Sequence, residues 1–136
     1  MKTKYNLIMI FNQNEYHVLL CLRKSDPYTG LYNLLGGKIE DDEDYLDSAY
    51  RELFEESGIS KTEVKLSPLM DFVWYPMEME MHVFYGTLKR EVTLVEEVHS
   101  LHWMSVKENF FDMNKFAGEG NIGHMLRIWE LAQEEK

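Results

Sequence analysis

The chain has 136 residues, 45% of them hydrophobic and 13% aromatic, which suits one domain with its own packed core, residues 1–136. A formal net charge of −10 with no basic patch argues against duplex nucleic acid or an acidic lipid surface as partner. No apolar run approaches the length of a membrane span, no signal peptide is visible, and the lone cysteine, Cys21, excludes an internal disulfide, so the expectation is a cytoplasmic protein, monomer or homodimer.

Residues 5–11 are almost continuously apolar and predict a central strand buried on both faces. Asn12-Gln13-Asn14 reads as a turn, and residues 16–22 as its hairpin partner, with Cys21 a buried hydrophobe inside it. Residues 25–30 carry loop chemistry, and 31–35 form a short strand running into Gly36-Gly37. A helix follows. Residues 64–75 and 79–88 predict two longer strands separated by Pro76, with Pro68 interrupting the first near its start. Met77, Met79 and Met81 alternate with Glu78, Glu80 and His82 across the second. Residues 101–106 predict a further strand, 107–111 a helical turn, and 121–133 a helix with Ile122, Met125, Leu126 and Trp129 on one stripe. The order suggests a mixed sheet between helices, an α/β/α sandwich.

The helix after the double glycine carries the chemistry. Asp41 or Asp42 is placed to cap it, with Glu43 and Asp44 in the first turn, where the helix dipole favours negative charge. Leu46, Ala49, Tyr50 and Leu53 form an apolar stripe, and Gly58 stands where a left-handed stop is expected. Glu52, Glu55 and Glu56, spaced i, i+3, i+4, share a different face. Such crowding of like charge calls for a compensating hard cation with oxygen ligands. The five histidines (His17, His82, His99, His102, His124) show no zinc-like spacing with cysteine, and His99 and His102 read as ordinary strand residues.

Gly37, Glu43, Arg51-Glu52-Leu53, Glu55-Glu56 and Gly58-Ile59 fill every fixed position of one pattern. It resembles the Nudix box, and the chain is similar to the Nudix hydrolases, which cleave a diphosphate linkage with divalent metal and water. The resemblance implies the Nudix fold and Mg²⁺, with Mn²⁺ as an alternative. It implies Glu52 and Glu56 as principal ligands, Glu55 as a further one, and Gly37 contributing its carbonyl. Arg51 would orient the carboxylates, while Glu43, off the ligand face, would pair or cap. The proton acceptor stays open between Glu52 and a glutamate of the loop before Trp103, where Glu97, also a candidate ligand, fits family spacing better than Glu96. Arg23 and Lys38 are candidates to meet a substrate phosphate.

Shorter matches, among them Tyr5-Asn6-Leu7, Val18-Leu19-Leu20, Tyr32-Asn33, Met81-His82-Val83-Phe84 and Phe110-Phe111, are similar to the MutT-type branch and its oxidised-purine nucleoside triphosphate hydrolases. The implied reaction is hydrolysis of a nucleoside triphosphate, 8-oxo-dGTP-like, to monophosphate and pyrophosphate, a nucleotide-pool-sanitising role. By that resemblance Asn33 would read the base and Phe116 stack on it. Asn6 needs partners in its apolar strand, from ligand or backbone. Asn121 would cap the last helix or read a base. The branch's two adjacent aspartates are replaced by Gly118-Glu119-Gly120-Asn121, leaving Glu119 as a substitute acid, and its tryptophan by Tyr32. Rival readings are an ADP-ribose or dinucleoside polyphosphate diphosphatase, and a nucleotide-binding module without turnover.

Overall fold

The computed structural model describes residues 2–135. The chain runs β1 (Thr3–Phe11), β2 (His17–Leu22), β3 (Tyr32–Asn33), α1 (Tyr45–Ser57), β4 (Ser67–Trp74), β5 (Met79–Thr87), β6 (Ser100–Ser105) and α2 (Asn121–Glu134). One mixed sheet is ordered β3-β2-β1-β5-β4, with β6 paired to β2. β1 and β5 are parallel from Thr3↔Met79 to Phe11↔Thr87, and the other pairs are antiparallel.

The continuous hydrophobicity of β1 has a direct cause: both faces are covered. Ile8 and Ile10 pack with Ala49 and Leu53 of α1, whereas Met9 and Phe11 pack with Ile122, Met125 and Trp129 of α2. The rings of Phe11 and Trp129 stack at 4.0 Å. This is the expected α/β/α sandwich.

The feature that positions the site is a splay in the sheet. β1 and β2 pair only at Phe11↔Val18 and then diverge. The segment after β2 fills the gap. Tyr32 and Asn33 pair with Leu22 and Cys21, after which the chain crosses to bridge β1 at Ile8↔Leu35 and Tyr5↔Lys38. Gly36 and Gly37 therefore lie between the two strands, under the C-terminal half of α1.

Several boundaries differ from the sequence-based expectations. The N-cap of α1 is Asp44, whose carboxylate accepts from the Asp47 N–H at 3.1 Å. Asp41 and Asp42 do not cap, and Glu43 lies outside the first turn. The reason is a preceding turn, closed by Glu43 N–H to Glu40 C=O at 3.1 Å, with Asp42 at φ 67°. Gly58 does end the helix at φ 77°, donating its N–H to the Phe54 carbonyl. The strand expected over 31–35 contracts to Tyr32–Asn33, because Leu35 has changed partner to β1. Pro68 falls inside β4, at a bulge where the missing N–H is tolerated. Residues 107–111, expected as a helical turn, form turns and a bend. The N-cap of α2 is Gly120, not Asn121, which is the first helical residue.

Candidate active site

The splay fixes how closely backbone and carboxylate approach. A Cβ on Gly36 would meet the Asn6 carbonyl oxygen at 2.1 Å, and one on Gly37 would meet the Glu52 carboxylate at 2.5 Å. Only glycine fits at position 36, where the clash is with backbone, whereas a side chain at position 37 would displace the Glu52 carboxylate. Asn6 locks the double glycine in place. Its side-chain oxygen accepts from the Gly37 N–H at 3.0 Å, and its amide donates to Ser48 Oγ of α1 at 3.0 Å. Asn6 is 1% exposed, and these bonds satisfy it within the protein, so it braces the fold and does not serve as a free reader of ligand.

Arg51 organises the carboxylates of α1. Its guanidinium forms a fork with Glu43 at 2.7 and 3.0 Å. It also donates to Glu52 at 3.0 Å, Glu55 at 3.4 Å and the Lys38 carbonyl at 3.2 Å. The Arg51 hydrogen bond holds the Glu43 carboxyl below its usual range, and Glu43 in turn raises the Arg51 pKa. The glutamates then separate by environment. The Glu55 side chain is 56% exposed, that of Glu52 only 15%. Glu56 lies deepest, accepting from the Gly36 N–H at 3.4 Å. Burial, then the charge of Glu52, pushes Glu56 up to about 8. Burial also raises Glu52, against the pull of Arg51.

Two partly buried carboxylates that resist ionising together are a site for a cation. Among the described residues no three His, Cys, Asp or Glu side chains already converge as a ligand set. Glu52 and Glu56 supply two hard oxygen donors. The Gly37 carbonyl, which already accepts the Asn6 N–H at 2.9 Å, keeps one lone pair for a third. This donor set fits Mg²⁺ or Mn²⁺, which retain waters and take substrate oxygens for the remaining positions.

Glu56 opens onto a cavity of about 350 Å³. Its walls on the α2 side of the sheet are Phe72 and Trp74 of β4 and, opposite them in register, Met81 and Met79 of β5. Met77 completes the thioether row, so the methionine face of that segment, not the Glu78-Glu80-His82 face, lines the cavity. Asn33 and Asn121 contribute amides, and Arg23, Cys21 and His99 form the wall next to Glu56. Arg23 donates to the Pro27 carbonyl at 3.2 Å and the Asp26 carbonyl at 3.4 Å, which tethers it to its own loop. Burial drives the Cys21 thiol up to about 11, consistent with an inert residue.

The remaining candidates lie elsewhere. Phe116 is 1% exposed and packs in the α2 core against Phe110 at 4.8 Å, so it does not stack on a ligand. Lys38 is exposed and does not line the cavity. Glu97 is exposed on the loop before β6 and does not line the cavity, whereas Glu96 accepts from the Leu101 N–H at 2.6 Å. Glu119 accepts from the Tyr28 hydroxyl at 3.0 Å, joining two loops beside the cavity. Burial and that carboxylate push the Tyr28 hydroxyl up to about 12. Phe72, Trp74, Tyr28 and His99 were not singled out from sequence as cavity residues. The alternation of Phe72 and Trp74 was the available signal, readable only with the β4–β5 register.

The NUDIX domain family model matches residues 2–123. The oxidized purine nucleoside triphosphate hydrolase of Mus musculus is 37% identical over 82 residues, 59% of this chain and 51% of that protein, so the match spans about half of the relative. A MutT protein from Methanosarcina mazei superposes with a TM-score of 0.68 at 23% identity, over 98% of this chain and 94% of that one. The NUDIX domain of Shewanella oneidensis NrtR, complexed with ADP ribose, gives 0.74 at 16% identity over 99% and 88%. At those identities the two structures speak for the fold alone. With the box running from Gly37 through α1 to Ile59 and the family model covering most of its length, the chain belongs to the Nudix family.

Proposed function

We propose that this protein hydrolyses a purine nucleoside triphosphate, with oxidised purines of the 8-oxo-dGTP class preferred, to the monophosphate and pyrophosphate. The observation that carries this reading is the single cavity with two unlike ends. One end is aromatic and thioether-lined, with the Asn121 amide at the start of α2; the other carries Arg23 and Glu56, and Asn33, paired with Cys21, stands on their side of the sheet. A planar base needs ring faces and paired donors and acceptors, and a polyphosphate needs cations. The name of the mouse relative, which is 37% identical over the matched region, supports the same class.

In this mechanism Glu52, Glu56 and the Gly37 carbonyl would hold the divalent ion, with Glu55 as a further ligand. When bound, Mg²⁺ supplies neutralisation of phosphate charge and a more acidic water. Arg51 keeps Glu52 in orientation through a charge-assisted hydrogen bond, itself fixed by the fork to Glu43. Proton acceptance is assigned to Glu52 rather than Glu97, since Glu52 sits against Gly37 and next to Glu56. Phe72, Trp74 and Met81 enclose the base and exclude water from it. Arg23 meets the phosphate chain.

The test is a turnover panel with Mg²⁺ and chromatographic resolution of products. It includes ordinary and 8-oxo purine triphosphates, ADP-ribose and dinucleoside polyphosphates. The expected result is the highest kcat/KM for an oxidised purine triphosphate. A higher value for ADP-ribose or a dinucleotide would retain the metal face and discard the base assignment.

A further inference from the structure

One residue of the cavity wall has no part in the reaction just proposed. His99 directly precedes β6, whose last ladder pair with β2 is Leu22↔Ser100. His99 therefore falls opposite Arg23, one step past the ladder. Opposed residues of an antiparallel pair project to one face, and residues two steps along share it. The pair two steps back is Cys21↔Leu101, and both pack in the core layer of α1. Arg23 and His99 thus belong to the side of the sheet that carries Glu52 and Glu56, away from Phe72 and Met81. Both line the cavity.

The hydrogen bonding of the ring fixes where its proton sits. The Lys24 backbone N–H donates to His99 Nδ1 at 3.2 Å. A nitrogen that accepts carries no proton, so the neutral ring holds it on Nε2. Among the described residues Nε2 has no hydrogen-bond partner. A protonated nitrogen cannot ligate a metal. It can donate, and beside a guanidinium the matching partner is an acceptor-only phosphoryl oxygen.

We propose that His99 is a substrate-contacting residue whose Nε2–H donates to a phosphoryl oxygen, forming with Arg23 a two-residue grip on the phosphate chain. This rests on the reading of the Arg23–Glu56 end as the polyphosphate end.

Two substitutions separate contact from scaffolding. His99→Asn keeps an acceptor where Nδ1 meets the Lys24 N–H but removes the Nε2 donor. His99→Gln reaches the Nε2 position with an amide N–H and gives up the Lys24 bond. Binding is measured calorimetrically with Mg²⁺, a methylene-bridged purine nucleoside triphosphate and the same nucleoside without phosphates. His99→Asn is expected to weaken triphosphate binding about tenfold or more and to leave nucleoside binding unchanged, with His99→Gln recovering most of the loss. The reverse order, a normal Asn variant and a weak Gln variant, would assign His99 to loop anchoring and overturn the proposal. Equal losses for nucleoside and triphosphate would overturn it too. A wild type that binds ADP-ribose instead would refute the triphosphate assignment, and the same tenfold loss measured with ADP-ribose would still uphold His99. Imidazole ¹⁵N shifts give a readout free of activity: Nε2 is expected to be of the protonated type, and an unprotonated Nε2 would refute the donor.

Discussion

In the absence of metal, Glu56 should make this protein less stable as pH rises, and Glu56→Gln should abolish most of that loss. The folded-state pKa of about 8 stands above the ordinary 4.5 because burial and Glu52 disfavour the charged form. Between those values the folded state binds more protons than the unfolded one, so unfolding free energy falls with increasing pH. The contribution is fully present below pH 4.5 and is lost as pH passes through 8. At about 1.36 kcal/mol per decade the displacement corresponds to at most about 5 kcal/mol. The part that falls between pH 5 and pH 9 is at most about 4 kcal/mol, and relaxation of α1 and entry of water reduce the expected loss to about 2–3 kcal/mol. Glu52 shifts in the same direction and adds to it. The assay is urea unfolding in excess chelator at pH 5, 7 and 9, on wild type and Glu56→Gln. The wild type should lose stability across the series while the variant, neutral at this position, changes far less. Adding Mg²⁺ at pH 9 should restore wild-type stability and leave the variant unmoved, since the cation offsets the charge that burial penalises. Parallel pH curves for the two proteins would refute a buried, proton-holding Glu56.

Three further outcomes follow from the same contacts. Gly37→Ala places a Cβ 2.5 Å from the Glu52 carboxylate, so metal affinity by titration calorimetry should fall at least tenfold while circular dichroism stays native. Glu43→Ala removes the fork that holds Arg51, and kcat/KM should drop about 10- to 100-fold through looser metal binding, with partial recovery at high Mg²⁺. Asn6→Ala strands the Gly37 N–H and removes the amide donor to Ser48 Oγ, and chemical unfolding should show a loss of about 1–3 kcal/mol.

What could be read from the sequence was what depends on local spacing. Glu52, Glu55 and Glu56 share a helix face because three and four residues make one turn, and Leu46, Ala49 and Leu53 face the core for the same reason. The cap escaped detection because acids crowd 40–44, and only backbone torsions single out Asp44. Phe116 and Asn6 were candidate ligand contacts by residue type, yet a ring in a loop and an amide in a strand find protein partners as readily as ligands. Both did so here. Glu55 matched the box as fully as Glu56, but position on the helix decides that one faces solvent and the other a cavity. The aromatic wall of Phe72 and Trp74, and His99 opposite Arg23, come from strand register between segments far apart in the chain. Local spacing carries no information on that.

The measurement that bears most directly on the central claim is ³¹P NMR of one purine nucleoside triphosphate incubated with wild type and Glu56→Gln, with Mg²⁺ and with chelator. Monophosphate and pyrophosphate should accumulate only with wild type and Mg²⁺. Equal product formation in chelator, or by the Glu56→Gln variant, would contradict a metal-dependent hydrolase built on the carboxylates of α1.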